Sequence, residues 1–153
     1  MTRLNTEWID FLACMQSSDY ALAVTFTFVQ WHKEEKLKIN LSIAKKTTQQ
    51  FLKRLNIECY GHAAKRHGHT IGSVVVIGKN DQYGNIHLHM ALTKPANMDI
   101  KDFAFLIEKI AIRFDWIDRE HRIEIYRDNV WLKYLIFHGP ESLQLDCCFQ
   151  AKP

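Results

Sequence analysis

Residues 73–92 read Ser73-Val74-Val75-Val76-Ile77-Gly78-Lys79-Asn80-Asp81-Gln82-Tyr83-Gly84-Asn85-Ile86-His87-Leu88-His89-Met90-Ala91-Leu92. Residues 73–78 are centred on a continuous apolar, β-branched run, Val74 to Ile77, the pattern of a buried strand. Residues 79–84 are turn-formers. Residues 85–92 then alternate strictly: Ile86, Leu88, Met90 and Leu92 on one side, Asn85, His87, His89 and Ala91 on the other. Two strands around a polar turn predict a β-hairpin. Its second strand has one face for a core and one carrying two imidazoles.

Working outward, residues 22–29 form a strand with Leu22, Val24, Phe26 and Phe28 on one face and Ala23, Thr25 and Thr27 on the other. Helical spacing marks residues 5–17, through Trp8, Phe11, Leu12 and Met15. It marks residues 42–57 as well, with Ser42 as cap and Phe51, Leu52 and Leu55 facing inward. Asp99 caps a helix over 100–114 that carries Ile100, Phe103, Ile107, Ile110 and Phe114. A short strand at 121–126 and a helix containing Trp131, Leu132 and Leu135, capped by Asn129, complete the pattern. The tail after Gly139-Pro140 carries no signal of its own. Strands interleaved with helices predict an α+β fold, an antiparallel sheet with helices mainly on one face.

The chain has 153 residues, of which 47% are hydrophobic and 24% charged. That suits one domain over 1–153. No apolar run approaches the roughly 18–20 residues of a membrane helix, so no membrane association is expected. The start, Met1-Thr2-Arg3-Leu4-Asn5-Thr6-Glu7, does not lead into the apolar core of a secretory signal. The cysteines, Cys14, Cys59, Cys147 and Cys148, include no Cys-x-x-Cys pair, and reduced thiols in a cytoplasmic protein are expected.

Histidines at i and i+2 on one strand face stand roughly 6–7 Å apart at Cβ, close enough for both rings to reach one metal ion. A second pair, His67-Gly68-His69, falls in a basic segment that reads as loop. Residues 45–69 hold Lys45, Lys46, Lys53, Arg54, Lys65 and Arg66 against Glu58 alone, so this segment carries +5 and the rest of the chain −2 of the overall +3. Such a cluster is the expected DNA-contacting surface, because Lys and Arg neutralise phosphates and release counterions. Trp31, Tyr60 and Tyr83 are candidates to stack on unpaired bases.

His87-Leu88-His89 resembles the His-hydrophobe-His motif of the HUH endonucleases, in particular the rolling-circle replication initiators of bacterial plasmids and phages. Thr25-Phe26-Thr27-Phe28 resembles their first motif. Phe51-Leu52-Lys53-Arg54-Leu55, Tyr60-Gly61 and Lys65-Arg66 resemble the basic connection that follows it. Trp131-Leu132-Lys133-Tyr134-Leu135 with Gly139-Pro140 is similar to the third motif, which carries a tyrosine nucleophile. These motifs keep the family's order over residues 22–146.

The resemblance implies an RRM or ferredoxin-like palm with a metal site on the face opposite the helices. It implies a divalent ion, Mg²⁺ or Mn²⁺, on His87 and His89, and Tyr134 as the nucleophile that leaves a 5′-phosphotyrosine, with Tyr126 as its rival. The activity implied is nicking and joining of single-stranded DNA to start replication of a plasmid or phage in a bacterial cytoplasm. The partner is single-stranded or hairpin origin DNA. The chain has no Gly-x-x-x-x-Gly-Lys loop, so a host helicase would do the unwinding.

Two positions depart from the family. No carboxylate stands in Val76-Ile77-Gly78-Lys79, which leaves Asn80, Asp81 or Glu124 as the third ligand. Phe137 occupies the place of a frequent lysine, with His138 one residue later on a similar helix face. These departures keep two alternatives open: a non-nicking protein that binds an origin hairpin, and a transposase of the same superfamily. An RNA-binding α+β domain is a third class, but its sheet would need aromatic residues where Ala23, Thr25, Thr27, His87 and His89 stand.

Overall fold

The computed structural model describes residues 20–79, 85–127, 131 and 143–152. Among them the order is β1 (Tyr20–Phe28), β2 (Trp31–His32), β3 (Leu37–Lys38), α1 (Leu41–Tyr60), α2 (His62–Arg66), β4 (Ser73–Lys79), β5 (Ile86–Thr93), α3 (Ile100–Ala111) and β6 (Ile117–Ile125). A 3₁₀ turn follows at Leu145–Cys147. The fold is α+β. Strands β4-β5-β1-β6 form one antiparallel sheet in that order, and β2 and β3 form a separate two-residue ladder.

The alternation in β1 and β5 decides which face is covered. Leu22, Val24, Phe26 and Phe28 of β1 join Leu88, Met90 and Leu92 of β5 in one buried cluster with Phe51, Leu52 and Leu55 of α1 and Phe103, Ile107 and Ile110 of α3. Phe26 meets Phe51 edge to face, ring centres 5.2 Å apart. Both long helices therefore lie on this one face, where burying large apolar side chains supplies most of the drive to fold.

The helices begin and end on local chemistry. Asn40, not Ser42, caps α1: its Oδ1 accepts the Ile43 N–H at 2.8 Å. The helix starts two residues before Ser42 would allow and runs on to Tyr60. Gly61, at φ +57°, then stops it in a conformation that suits glycine. Asp99 caps α3 as expected, its Oδ1 accepting from Lys101 N–H at 3.0 Å, but the helix ends at Ala111 and Phe114 lies beyond it. Strand β6 starts at Ile117, four residues earlier than the apolar pattern suggests.

The segment 143–152 lies along the free edge of β4. Ser73 and Phe149 exchange backbone hydrogen bonds, each 2.9 Å, Gln144 N–H donates to Val75 C=O at 3.0 Å, and Thr70 and Lys152 pair likewise. The Ser73 hydroxyl also donates to Cys147 C=O at 2.8 Å. On the face opposite α1 and α3, Tyr20, Val74, Val76 and Ala91 form a small second buried cluster with Tyr126, Trp131, Leu143 and Cys148. The expected helices at 5–17 and after Asn129 lie outside the described residues, Trp131 excepted. No helix among the described residues is long and apolar enough to cross a membrane.

Candidate functional site

His87 and His89 project from the middle of the sheet, because β5 is hydrogen-bonded to β4 on one side and to β1 on the other. The pairing register builds the surroundings row by row. One row across the face opposite α1 and α3 is Val76, His89, Thr25, Arg122; the next is Gly78, His87, Thr27. The two imidazole rings stand 4.9 Å apart, nearly perpendicular at 82°.

Each ring has a fixed neighbour. His89 Nδ1 lies 3.1 Å from the Thr25 hydroxyl, which leaves Nε2 free of that bond. His87 lies over Gly78, where a Cβ would come within 3.0 Å of Nε2. Gly78 is thus the position that gives His87 its space. Trp131 stands edge-on to His89 with ring centres 5.8 Å apart.

Burial pushes the His89 imidazole down to about 4, and the adjacent His87 adds to that. Burial lowers His87 too, opposed by a hydrogen bond to the Asn85 backbone. Both rings are therefore neutral at pH 7, the form that offers a lone pair to a metal ion. Two such rings from one strand fit part of a divalent-ion site. Among the described residues no third His, Cys, Asp or Glu stands with them. Glu124 pairs with Ala23, two strands from β5 and one row away from His89. Strand spacing puts the Glu124 and His89 Cα atoms roughly 12 Å apart. Its carboxylate lies 3.7 Å from Arg122. Asn80 and Asp81 lie outside the described residues.

A cleft of about 640 Å³ is lined by Ala23, Glu124, Ile125, Tyr126, Arg127 and Trp131, the last of which also meets the His89 ring; neither histidine lines it. It brings two aromatic rings and a guanidinium to the histidine side of the sheet, a combination suited to an unpaired base and its phosphate. Trp131 was legible only as a helix residue, and Arg122 and Arg127 carried no signal. Their position depends on the β1–β6 register, which no local pattern reveals. Tyr134 and His138 lie outside the described residues, as does Tyr83.

No family model matches the chain, and comparison with curated proteins and with solved structures likewise found no match.

The basic residues lie elsewhere. Lys45, Lys46, Lys53 and Arg54 are on α1 and Lys65 and Arg66 on α2, in the helix layer behind the sheet. Two of the six are engaged within the chain: Lys45 with Asp146 at 2.6 Å, and Arg54 with Glu58 at 2.8 Å. The histidine pair and the basic cluster thus occupy opposite layers. Tyr60 is half-buried, its ring 5.8 Å from that of His69, and Trp31 is exposed on the β2–β3 hairpin.

Proposed function

We propose that the protein is a metal-dependent, tyrosine-using endonuclease and strand transferase for single-stranded DNA, of the HUH type, that initiates rolling-circle replication. The observation that carries this reading is the His87–His89 pair: neutral, facing one way, ring centres 4.9 Å apart, on the sheet face opposite α1 and α3. The β-α-β-β-α-β connectivity with sheet order β4-β5-β1-β6 supports the expected ferredoxin-like palm.

His87 and His89 would hold a divalent ion, Mg²⁺ or Mn²⁺, with an oxygen donor such as Asn80 or Asp81. Bound there, the ion would supply Lewis-acid polarisation of the scissile phosphate. Thr25 orients the His89 ring through Nδ1, which leaves Nε2 as the nitrogen that would take the metal ion. Arg122, Arg127 and Trp131 hold the strand across the face. The Tyr134 phenolate oxygen bonds to phosphorus as the bond to the 3′ oxygen breaks, giving a 5′-phosphotyrosine and a 3′-OH. His138 would deliver the proton to that oxygen. The covalent link keeps the energy of the phosphodiester for rejoining.

The test is a denaturing gel. The protein is incubated with Mn²⁺ and labelled single-stranded oligonucleotides from the origin of its own replicon. A covalent adduct that Tyr134→Phe and His87→Ala/His89→Ala both lose supports the reading. An adduct that survives in Tyr134→Phe removes Tyr134 as the nucleophile and turns attention to Tyr126. The second reading is an origin-binding protein without nicking, favoured by the absence of a third ligand among the described residues. It predicts tight hairpin binding with no adduct under any divalent metal.

A further inference from the structure

A second cleft, of about 480 Å³, lies on the helix side, between α1, α2, the loop at 67–70 and the segment 143–152. Its volume is within the range of small-molecule sites. Leu52 and Ile57 of α1 and Cys147 and Phe149 of the C-terminal segment give it apolar walls, and Phe149 is 46% exposed there. No function assigned so far uses it.

Two features narrow what it holds. First, the lining carries free cations. Lys53 and Lys65 line it, both exposed, and neither has an ion-pair partner among the described residues, whereas the one carboxylate of the lining, Asp146, is neutralised by Lys45 at 2.6 Å. An exposed ammonium pair beside an apolar slot suits a ligand with an apolar body and an anionic end. Second, the lining has neutral hydrogen-bonding groups. The Asn56 Oδ1 accepts from Ile71 N–H at 2.9 Å, which leaves its amide N–H groups to donate. The Gln49 amide stands at the same wall. An alkyl chain has no use for such groups, whereas the edge of a nucleobase pairs with them.

We infer that this cleft binds a nucleoside monophosphate unit, base inward against Leu52, Ile57 and Phe149 and phosphate at Lys53 and Lys65. The unit is either a free nucleotide or an unpaired residue of a strand. The inference goes beyond nicking and does not depend on it, since the cleft lies behind the sheet from His87 and His89.

The test uses the full chain, titrated with the four deoxynucleoside monophosphates, the matching nucleosides, decyl phosphate and a short single-stranded oligonucleotide. Binding is followed by calorimetry and by amide shifts in NMR spectra. The expected result is movement of the Ala64, Gly68 and Thr70 amides with those of His87 and His89 still. Nucleosides should bind at least tenfold more weakly than monophosphates, and Lys53→Ala/Lys65→Ala should erase that difference. Ala64→Trp fills the cleft and should abolish binding. Should that variant not fold, the amide map and the lysine variant decide. An oligonucleotide at least tenfold tighter than the mononucleotide assigns the site to a strand; equal affinity assigns it to free nucleotide. Decyl phosphate binding as well as the nucleotides, shifts at His87 and His89 in place of Ala64, or no nucleotide binding at millimolar concentration would overturn the inference.

Discussion

Thr25 on β1 and His89 on β5 are directly opposed across the ladder, and the Thr25 hydroxyl lies 3.1 Å from His89 Nδ1. The pair ties the orientation of a candidate ligand to the position of a neighbouring strand. Removing the hydroxyl while keeping the shape separates the two roles. Thr25→Val should lower Mn²⁺ affinity by about 10- to 100-fold, the usual effect of losing the group that orients a metal-binding imidazole. It should cost only about 1 kcal/mol of stability. Mn²⁺ titration and urea unfolding on the same variant check both.

The low value of His89 makes the fold acid-sensitive. An unfolded imidazole takes up its proton near 6.5, whereas the folded ring is pushed down to about 4. As pH falls, the unfolded chain binds the proton first. Stability is therefore complete above about pH 7 and is lost progressively from about 6.5 to 4. The size is about 2–3 kcal/mol, somewhat below the full shift because the ring is partly exposed. Urea unfolding of metal-free protein at pH 7.5 and pH 5 measures it. His89→Gln should flatten the slope, and an unchanged slope would contradict the assignment.

Gly78→Ala tests the space over His87. The added Cβ would approach Nε2 to 3.0 Å, so the ring must shift by a few tenths of an ångström. The backbone there is not in the left-handed region, and a strand accepts alanine better than glycine. The expected outcome is a moved His87 ring resonance and weaker Mn²⁺ binding, with stability changed by less than about 1 kcal/mol. Unaltered His87 resonances would contradict the close approach.

Gln30 joins the ends of two central strands. Its Nε2 donates to Phe28 C=O at 2.7 Å and Ile86 C=O at 3.0 Å, and its Oε1 accepts from Ile86 N–H at 2.9 Å. Gln30→Leu leaves the Ile86 amide and carbonyl without these partners. It should cost about 1–3 kcal/mol, read from chemical denaturation.

The Ser73 hydroxyl holds the carbonyl of Cys147 inside the protein. Ser73→Ala should loosen the segment 143–152 from β4 and speed amide exchange at Gln144 and Phe149. The expected loss of stability is about 1–2 kcal/mol, since one buried carbonyl is left unsatisfied.

Much of the sheet was legible because period-2 alternation is a direct consequence of one covered face. Leu22 to Phe28 and Ile86 to Leu92 carry it plainly, and the histidines follow from the same alternation. Asp118, Arg119 and Glu120 hid the start of β6, since an edge strand tolerates charges that a central strand does not. Asn40 and Ser42 are both cap-forming residues two apart, and only the Ile43 hydrogen bond distinguishes them. The segment 143–152 joins β4 through backbone groups in isolated bridges, which leave no period in the side chains. The proximity of Trp131 to His89 is a long-range contact without a local signature. The helix-side cleft is built from three separate stretches of chain, and its lysines read only as part of a charged run.

Strand β5 is bonded on both flanks, so His87 and His89 cannot be displaced by local fraying. Exchange of the amides from His87 to Met90 should occur only when the whole sheet opens. A ligand arriving at these rings meets a surface already frozen in place, and little of its binding energy is spent on ordering the strand that receives it.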